Sequence, residues 1–287
     1  MKKIITLMLT LLLAFTACVG LTACNKGSTV NPRNNEIVVG YTDYAPMNYT
    51  ENGVFKGFDT ELAIMTFEAL GYNVRFKLID WSNKYVELGK TVDCVWNGFT
   101  SNGSDDTTDD GIDNPVSRAQ LVDFSYDYMQ NAQCIIRLAN SPAISSPTDF
   151  AGKKVAFELG SSGESLVSSY KAGATEDASD DVNLMPQGCT SQMDAVQKVA
   201  QGACEYAVVD VLLAQAVIGG GGYAGLTINE GLDIAVEYYA VAFKKGSPLV
   251  EKVNIMFEAF AKTGYLNTLA TKYNLATSVI TDFSSQK

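Results

Sequence analysis

The chain has 287 residues, with 32 acidic against 21 basic side chains, a net charge of −11, and no histidine. A surplus of that sign argues against nucleic acid as a partner. The missing histidine excludes Ser-His-Asp and Cys-His nucleophile arrangements and removes the commonest metal ligand and general base, so neither a metal nor a cofactor is expected.

Lys2 and Lys3 precede an apolar run, Ile4–Phe15, broken only by Thr6 and Thr10. That is the arrangement of an export signal, and it is short for a membrane span, which needs about 20 residues. Leu21–Thr22–Ala23–Cys24 resembles a lipobox, at which bacteria acylate a cysteine and cleave before it. Phe15–Thr16–Ala17–Cys18 is a second candidate upstream, and the leucine three places earlier favours Cys24. Residues 1–23 are thus expected to be a lipoprotein signal peptide, Cys24 the lipidation site, and residues 24–35, rich in Asn, Ser, Gly and Pro, a flexible tether. The acyl chains would anchor a soluble globular part to the membrane. Loss of Lys2 and Lys3 leaves 19 basic residues against 32 acidic, a net −13. What remains is enough chain for two modest domains or one large one. Cys94, Cys134, Cys189 and Cys204 show no C-x-x-C spacing, which speaks against metal. Export permits disulfides, but buried free thiols are expected for all four, with Cys189 and Cys204 near opposite ends of one helix.

In chain order, Glu36–Gly40 reads as a short apolar strand ending in the loop Tyr41–Tyr49. Gly57–Phe58–Asp59 opens a helix that Asp59 or Thr60 can cap and Gly71 ends. Asn73–Ile79 alternates as a strand, Trp81–Leu88 is a short helix, and Val92–Trp96 an apolar strand. This succession predicts a parallel α/β sheet. Ser101–Asn114 carries five aspartates without the closing glutamate of an EF-hand loop, so it reads as a solvated acidic loop. Strand Gln133–Leu138 and the connector Ser141–Pro147 follow. A second α/β series comes next: strand Lys154–Leu159, the turn Gly160–Glu164, helix Ser165–Lys171, strand Asn183–Pro186, helix Ser191–Ala200 and strand Tyr206–Val211. Gly219–Gly222 is a glycine turn, Ile234–Phe243 a long strand, and Pro248–Lys262 and Tyr265–Tyr273 are helices.

Arg118, ahead of Val122–Asp123–Phe124–Ser125, resembles the ligand-clamping segment of the bacterial extracellular solute-binding proteins of family 3, the polar amino-acid receptors that feed ABC importers. Further likenesses run in the same order along the chain: Tyr44–Ala45–Pro46, Gly57–Phe58–Asp59, Asp149–Phe150–Ala151–Gly152–Lys153–Lys154–Val155, and Gly202 through Asp210. The resemblance implies an α/β, two-lobed type II periplasmic-binding-protein fold. Each lobe would be a mainly parallel sheet flanked by helices: lobe 1 from 36–129 plus 238–287, lobe 2 from 130–237, joined by hinge strands at Asp127–Gln130 and Glu237–Ala240. It implies a monomeric, membrane-anchored receptor on the outer face of the cytoplasmic membrane. That receptor would bind a free L-amino acid by hinge closure and deliver it to an ABC permease.

The same resemblance assigns the site. Arg118 would grip the α-carboxylate, since a planar five-donor fork suits that anion. Thr100, with Ser161 and Ser162 at a helix start, would add donors. Asp210 and the Gly98 carbonyl would take the α-ammonium. Tyr44 and Trp81 would wall the side-chain pocket, Tyr41 and Asn97 would sit at selector positions, and Glu158 would face the side chain from lobe 2. Helix capping is an alternative role for Ser162, and an N-cap role for Asp210. Two departures stand out: the acidic insertion between Thr100 and Arg118, and tyrosine or threonine where receptors for cationic amino acids often carry an acid. Glu158 partly restores the cationic reading. The competing functions are a cyclohexadienyl-dehydratase-like enzyme on the same fold, whose substrate lacks an α-ammonium and so has no use for Asp210, and a ligand sensor for a membrane signalling partner.

Overall fold

The computed structural model describes residues 35–105, 116–171, 182–232 and 234–287. The signal peptide, Cys24, the tether ahead of Asn35 and most of the acidic insertion lie outside the described residues.

Fourteen strands and eight helices are described. The first half contains β1 (Glu36–Tyr41), β2 (Tyr49–Glu51), β3 (Val54–Lys56), α1 (Phe58–Ala69), β4 (Asn73–Leu78), α2 (Lys84–Glu87), β5 (Cys94–Thr100), β6 (Ser104–Asp105), β7 (Val116–Ser117), α3 (Arg118–Leu121) and β8 (Asp123–Phe124). The long strand β9 (Met129–Leu138) leads to β10 (Lys154–Glu158), α4 (Ser162–Lys171), β11 (Met185–Cys189), α5 (Gln192–Ala200), β12 (Tyr206–Asp210), α6 (Val211–Val217) and β13 (Leu226–Ile228). β14 (Val236–Phe243), α7 (Leu249–Lys262) and α8 (Tyr265–Lys272) close the chain.

β1 lies between β4 and β5, parallel to both, and β10 lies between β11 and β12, parallel to both. These are the two parallel halves expected of strands joined through helices. Two antiparallel strands tie them together. β14 pairs with β5 of the first half, β9 with β12 of the second, and β9 and β14 pair with each other from Val236↔Ala132 to Tyr239↔Met129. The chain thus folds into two lobes that share a pair of crossing strands, and of the predicted hinge segments Met129–Gln130 and Glu237–Tyr239 lie in that pairing.

Burial explains the choice of elements. β5 is buried at every position, as a central strand is, and its polar Asn97 and Thr100 lie among apolar neighbours. α7 turns Val253, Phe257 and Phe260 inward at helical spacing. Phe257 meets the edge of Trp96 at 5.7 Å and Tyr128 at 5.7 Å, and stacks on Phe283 at 6.1 Å. Such aromatic contacts favour one arrangement of the first lobe.

The structure differs from expectation in several places. Trp81–Leu88 is not one helix: a 3₁₀ turn over Trp81–Asn83, started by Asp80 accepting from the Ser82 N–H at 3.0 Å, passes into α2. α6 follows Asp210 directly, a helix the sequence reading passed over because Val211–Val217 lacks a polar face. Asp59 does not cap α1; its carboxylate reaches into the first lobe instead, as described below. Cys94, Cys134, Cys189 and Cys204 are all free and buried.

Removal of the Phe257 ring should cost about 3–5 kcal/mol, the range for truncating a buried aromatic to alanine. Urea unfolding of Phe257→Ala against wild type measures it.

Candidate functional site

The two lobes meet over a narrow cavity at the carboxyl ends of their parallel strands, where α/β sheets present ligand sites. From the first lobe it is lined by Tyr44, Trp81, Asn97, Gly98, Thr100 and Arg118; from the second by Glu158, Ser161, Ser162, Asp210 and Gln192. Room for the centre of a water-sized group amounts to ≈ 20 Å³, about the space of one water. Anything of amino-acid size enters only when the lobes part.

Arg118 is the first residue of α3 and is 1% exposed. Its guanidinium lies 5.5 Å from the face of Phe99, and on Gly103 a Cβ would come within 3.2 Å of it. Nε and Nη2 donate to one oxygen of Asp105 at 2.9 and 2.8 Å. Nη1 donates to the Thr100 carbonyl at 3.1 Å and, across the cleft, to the Ser162 hydroxyl at 3.3 Å. The hairpin β6–β7 creates this pairing: Asp105 sits opposite Val116, two residues before Arg118. Asp105 therefore departs from the solvated-loop reading. It is 9% exposed and accepts from Tyr85 Oη at 2.6 Å. Burial pulls its carboxyl upward, but Arg118 and Lys84 outweigh that and hold it below the ordinary value.

On the second lobe, Ser161 is the residue that caps α4. Its hydroxyl accepts from the Glu164 N–H at 3.2 Å and donates to the Glu158 carbonyl at 2.7 Å. The capping alternative entertained for Ser162 thus falls to its neighbour, and Ser162 is left facing Arg118. Asp210 stands at the N-cap position of α6 without capping it. Its carboxylate accepts instead from Asn131 Nδ2 at 3.0 Å, from Gln133 Nε2, and from Gln192 Nε2 at 2.7 Å. Gln192 also accepts the Asp210 backbone N–H at 2.8 Å, so one amide grips the residue twice. Asn131 and Gln133 alternate along β9 and bond a second carboxylate, Glu237 on β14, at 3.1 and 3.0 Å. Thr100 Oγ1 donates to the same oxygen of Glu237 at 3.1 Å.

Gly98 has φ +59 and sits where a Cβ would be 2.6 Å from Tyr44 and 2.9 Å from Tyr239, whose hydroxyls bond each other at 2.7 Å. Its N–H donates to Asp59 at 2.9 Å, and Tyr128 Oη donates to the other oxygen at 2.8 Å. Asn97 is held by Thr42 and Asn48 through its amide. Tyr41 is the exception among the predicted residues. It lies outside the cavity, 4.7 Å from Phe55 and 6.0 Å from Phe76, because the end of β1 turns it toward the first lobe's flank.

Glu158 is 4% exposed, and its Oε1 has no hydrogen-bond partner among the described residues. Burial chiefly, and Asp210 next, push it up to about 8. Sequence reasoning missed Gln192, Asp105, Lys84 and the amides on β9. Only the last left a signal, since Asn131 and Gln133 are two places apart and so share one face of a strand.

Residues 37–276 match the pattern of the bacterial extracellular solute-binding proteins, family 3. The chain belongs to that family. It is 27% identical to the arginine-binding extracellular protein ArtP of Bacillus subtilis (strain 168), over 92% of this chain and 96% of that protein. Among solved structures it resembles an ancestral arginine-binding protein bound to arginine, at TM-score 0.70 and 29% identity, covering 83% of this chain and 98% of the other. It also resembles an ABC uptake transporter substrate-binding protein from Streptococcus pneumoniae with bound histidine, at TM-score 0.69 and 26% identity, covering 84% and 92%.

An acid whose value is raised by folding holds its proton more tightly folded than unfolded, so its contribution to stability falls as pH climbs from the unfolded value toward the folded one. For Glu158 that window runs from about 4.5 to about 8. Melting temperatures across it should fall less steeply for Glu158→Gln than for wild type. Asp59, raised to about 7 mainly by burial, is common to both and cancels in the comparison.

Proposed function

We propose that this chain is the extracytoplasmic receptor of an amino-acid ABC importer. It closes on a free L-amino acid between its lobes and presents it to a permease. The observation that carries the reading is the pairing of one guanidinium and one carboxylate, Arg118 and Asp210, on opposite lobes of one narrow cavity. A zwitterion needs both signs a few ångströms apart.

The donor counts support it. A guanidinium has five N–H groups and a carboxylate about four acceptor positions. Arg118 uses two toward Asp105 and one toward Thr100, and its bond to Ser162 breaks when the lobes separate. The remaining Nη1 and Nη2 edge suits a ligand carboxylate inserted between Arg118 and Ser162, where the orphan N–H groups of α4 also point. Asp210 accepts three amide donors, which leaves one position for an ammonium. In this reading Gly98, positioned by Asp59, offers its carbonyl to the same ammonium. Tyr44, Trp81 and Asn97 shape the side-chain pocket, and Thr100 and Ser161 complete the carboxylate end. Asp210 also weighs against a dehydratase, so the chain is read as a binding protein and not an enzyme. Lobe 1 comprises 36–129 plus 238–287 and lobe 2 130–237, with a lipid anchor at Cys24 holding a monomer outside the membrane.

Among side chains, a cationic one fits best. Glu158 is a buried carboxyl with an unpartnered oxygen in the wall of the pocket, and such a group is costly until it is paired. Relatives that bind arginine or histidine agree with this.

Calorimetry of the folded, ligand-stripped protein against the twenty amino acids should find micromolar or tighter binding of one or a few, arginine or lysine among them. Arg118→Ala and Asp210→Ala should each weaken it at least about 100-fold, the loss expected when a desolvated charge pair is broken. Silence across the panel would sink the free-amino-acid reading.

The pH dependence separates cationic from neutral ligands. With Glu158 near 8 in the unliganded protein, a cation docking there must displace a proton at neutral pH. Affinity should rise as pH climbs to about 8 and then level off, with proton release seen in buffers of different ionisation heats. Glu158→Gln should lose both the slope and the proton release.

A further inference from the structure

One contact between the lobes is made by a residue with no place in the ligand cavity. Lys84 opens α2 on the first lobe and is 2% exposed. Lysine is almost never buried so fully unless its charge is compensated. Here the compensation comes from both lobes. Nζ donates across the cleft to the Gly160 carbonyl at 2.7 Å and lies 3.3 Å from Asp105 Oδ2. The rings of Trp81, Tyr85 and Phe99 surround it at 5.3, 4.7 and 5.9 Å.

We propose that Lys84, held in place by Asp105, is a positioning residue that clasps the second lobe onto the first through Gly160.

Gly160 immediately precedes Ser161 and Ser162, so fastening its carbonyl seats that turn over the cleft. The backbone there is built for a close approach. Gly160 has φ +72, and a Cβ would lie 3.2 Å from both Lys84 Nζ and the Ser82 Cα of the first lobe. Asp105 serves two cations with separate oxygens: Oδ1 takes Nε and Nη2 of Arg118, and Oδ2 takes Lys84 and the Tyr85 hydroxyl. Burial drives Lys84 down to about 8, and Arg118 pushes the same way while Asp105 opposes both. Without Asp105 the two cations face each other unscreened, and both the clasp and the arginine fork lose their orientation. When the lobes part, Lys84 keeps Asp105 but loses Gly160, so the bond to the carbonyl belongs to the closed state alone.

The clasp stands on the two-lobed fold and not on which ligand the cleft takes, so it is tested without ligand. Spin labels on cysteines placed at the exposed Glu68 of α1 and Gln197 of α5 report the distance between lobes, in a protein with Cys18 and Cys24 replaced or removed; the four cysteines of the described residues are buried. The wild type should show a short-distance, closed population. In Lys84→Met the closed-to-open ratio should fall about tenfold or more, as expected for loss of a hydrogen bond from a charged donor. Gly160→Ala, which wedges the same contact from the other lobe, should shift the distances alike. Melting temperature and circular dichroism check that each variant is folded, and an unfolded Lys84→Met leaves Gly160→Ala to decide. Where arginine binds, its dissociation should accelerate by a similar factor with association little changed. Distances unaltered in a folded variant, or a wild type found only in the separated state, would overturn the clasp. Failure of every amino acid to bind would instead overturn the receptor reading and leave the distance result standing.

Discussion

A guanidinium stays charged at any working pH, and Arg118 holds one at 1% exposure. Much of the surrounding architecture follows from that burial. A charge so far from water is stable only if its donors find acceptors. Asp105, the Thr100 carbonyl and Ser162 supply them, with Phe99 beneath the plane. Two of these partners are local to the first lobe and one belongs to the second. The arginine is therefore fixed before closure by Asp105 and Thr100, and only its cleft-facing edge changes partner when the lobes move. A site whose main anchor is already oriented loses less freedom on binding than one assembled by the ligand.

The same economy of partners appears at the hinge. Asn131 and Gln133 on β9 bridge Asp210 to Glu237 on β14, and Thr100 reaches Glu237 from β5. Burial first and Asp210 next raise Glu237, as expected for a second carboxyl sharing those amides. The strands that cross between the lobes thus carry the side chains that orient Asp210. In the proposed hinge motion, lobe rotation and site geometry would be linked through these hydrogen bonds, a short route for coupling.

The architecture was largely legible in the sequence, because its signals are local: apolar runs at strand length, helices at 3.6 spacing, and glycines at the turns. Ten of the eleven cleft residues expected from the resemblance surround the cavity, since Asp210, Thr100 and the serine turn sit at the ends of strands whose identity could be read and Arg118 heads the segment that carries the resemblance. What was not legible depends on contacts distant in sequence. Asp105 lies in an acidic run, and only the β6–β7 pairing reveals that it meets Arg118. Lys84 carries no signal of its own within the short helix expected over Trp81–Leu88. Asp59 reads as a helix cap until its carboxylate is seen on Gly98. Tyr41 shows the converse failure: strand parity at the end of β1 carries it to Phe55 and Phe76, and no local pattern fixes where a strand yields to a loop.

The charges around the cleft can be weighed as a set. Arg118 and Lys84 are the cations; Asp105, Asp210, Glu158 and Glu237 are the acids. Asp105 serves both cations, so two positive charges of the first lobe share one carboxylate. The second lobe and the crossing strands then present Asp210 and Glu237, whose partners are chiefly amides, and Glu158, whose Oε1 finds none among the described residues. Amides orient a carboxylate without neutralising it. Glu158 and Glu237 respond by rising. On the proposed reading, a neutral zwitterion supplies one ammonium, which suits Asp210, and leaves Glu158 protonated with Oε1 unpaired. A ligand with a second positive group would displace that proton and pair the carboxylate. The proposed preference for a cationic side chain thus rests on Glu158, unpartnered at Oε1 among the described residues, as the place where a second charge can be matched.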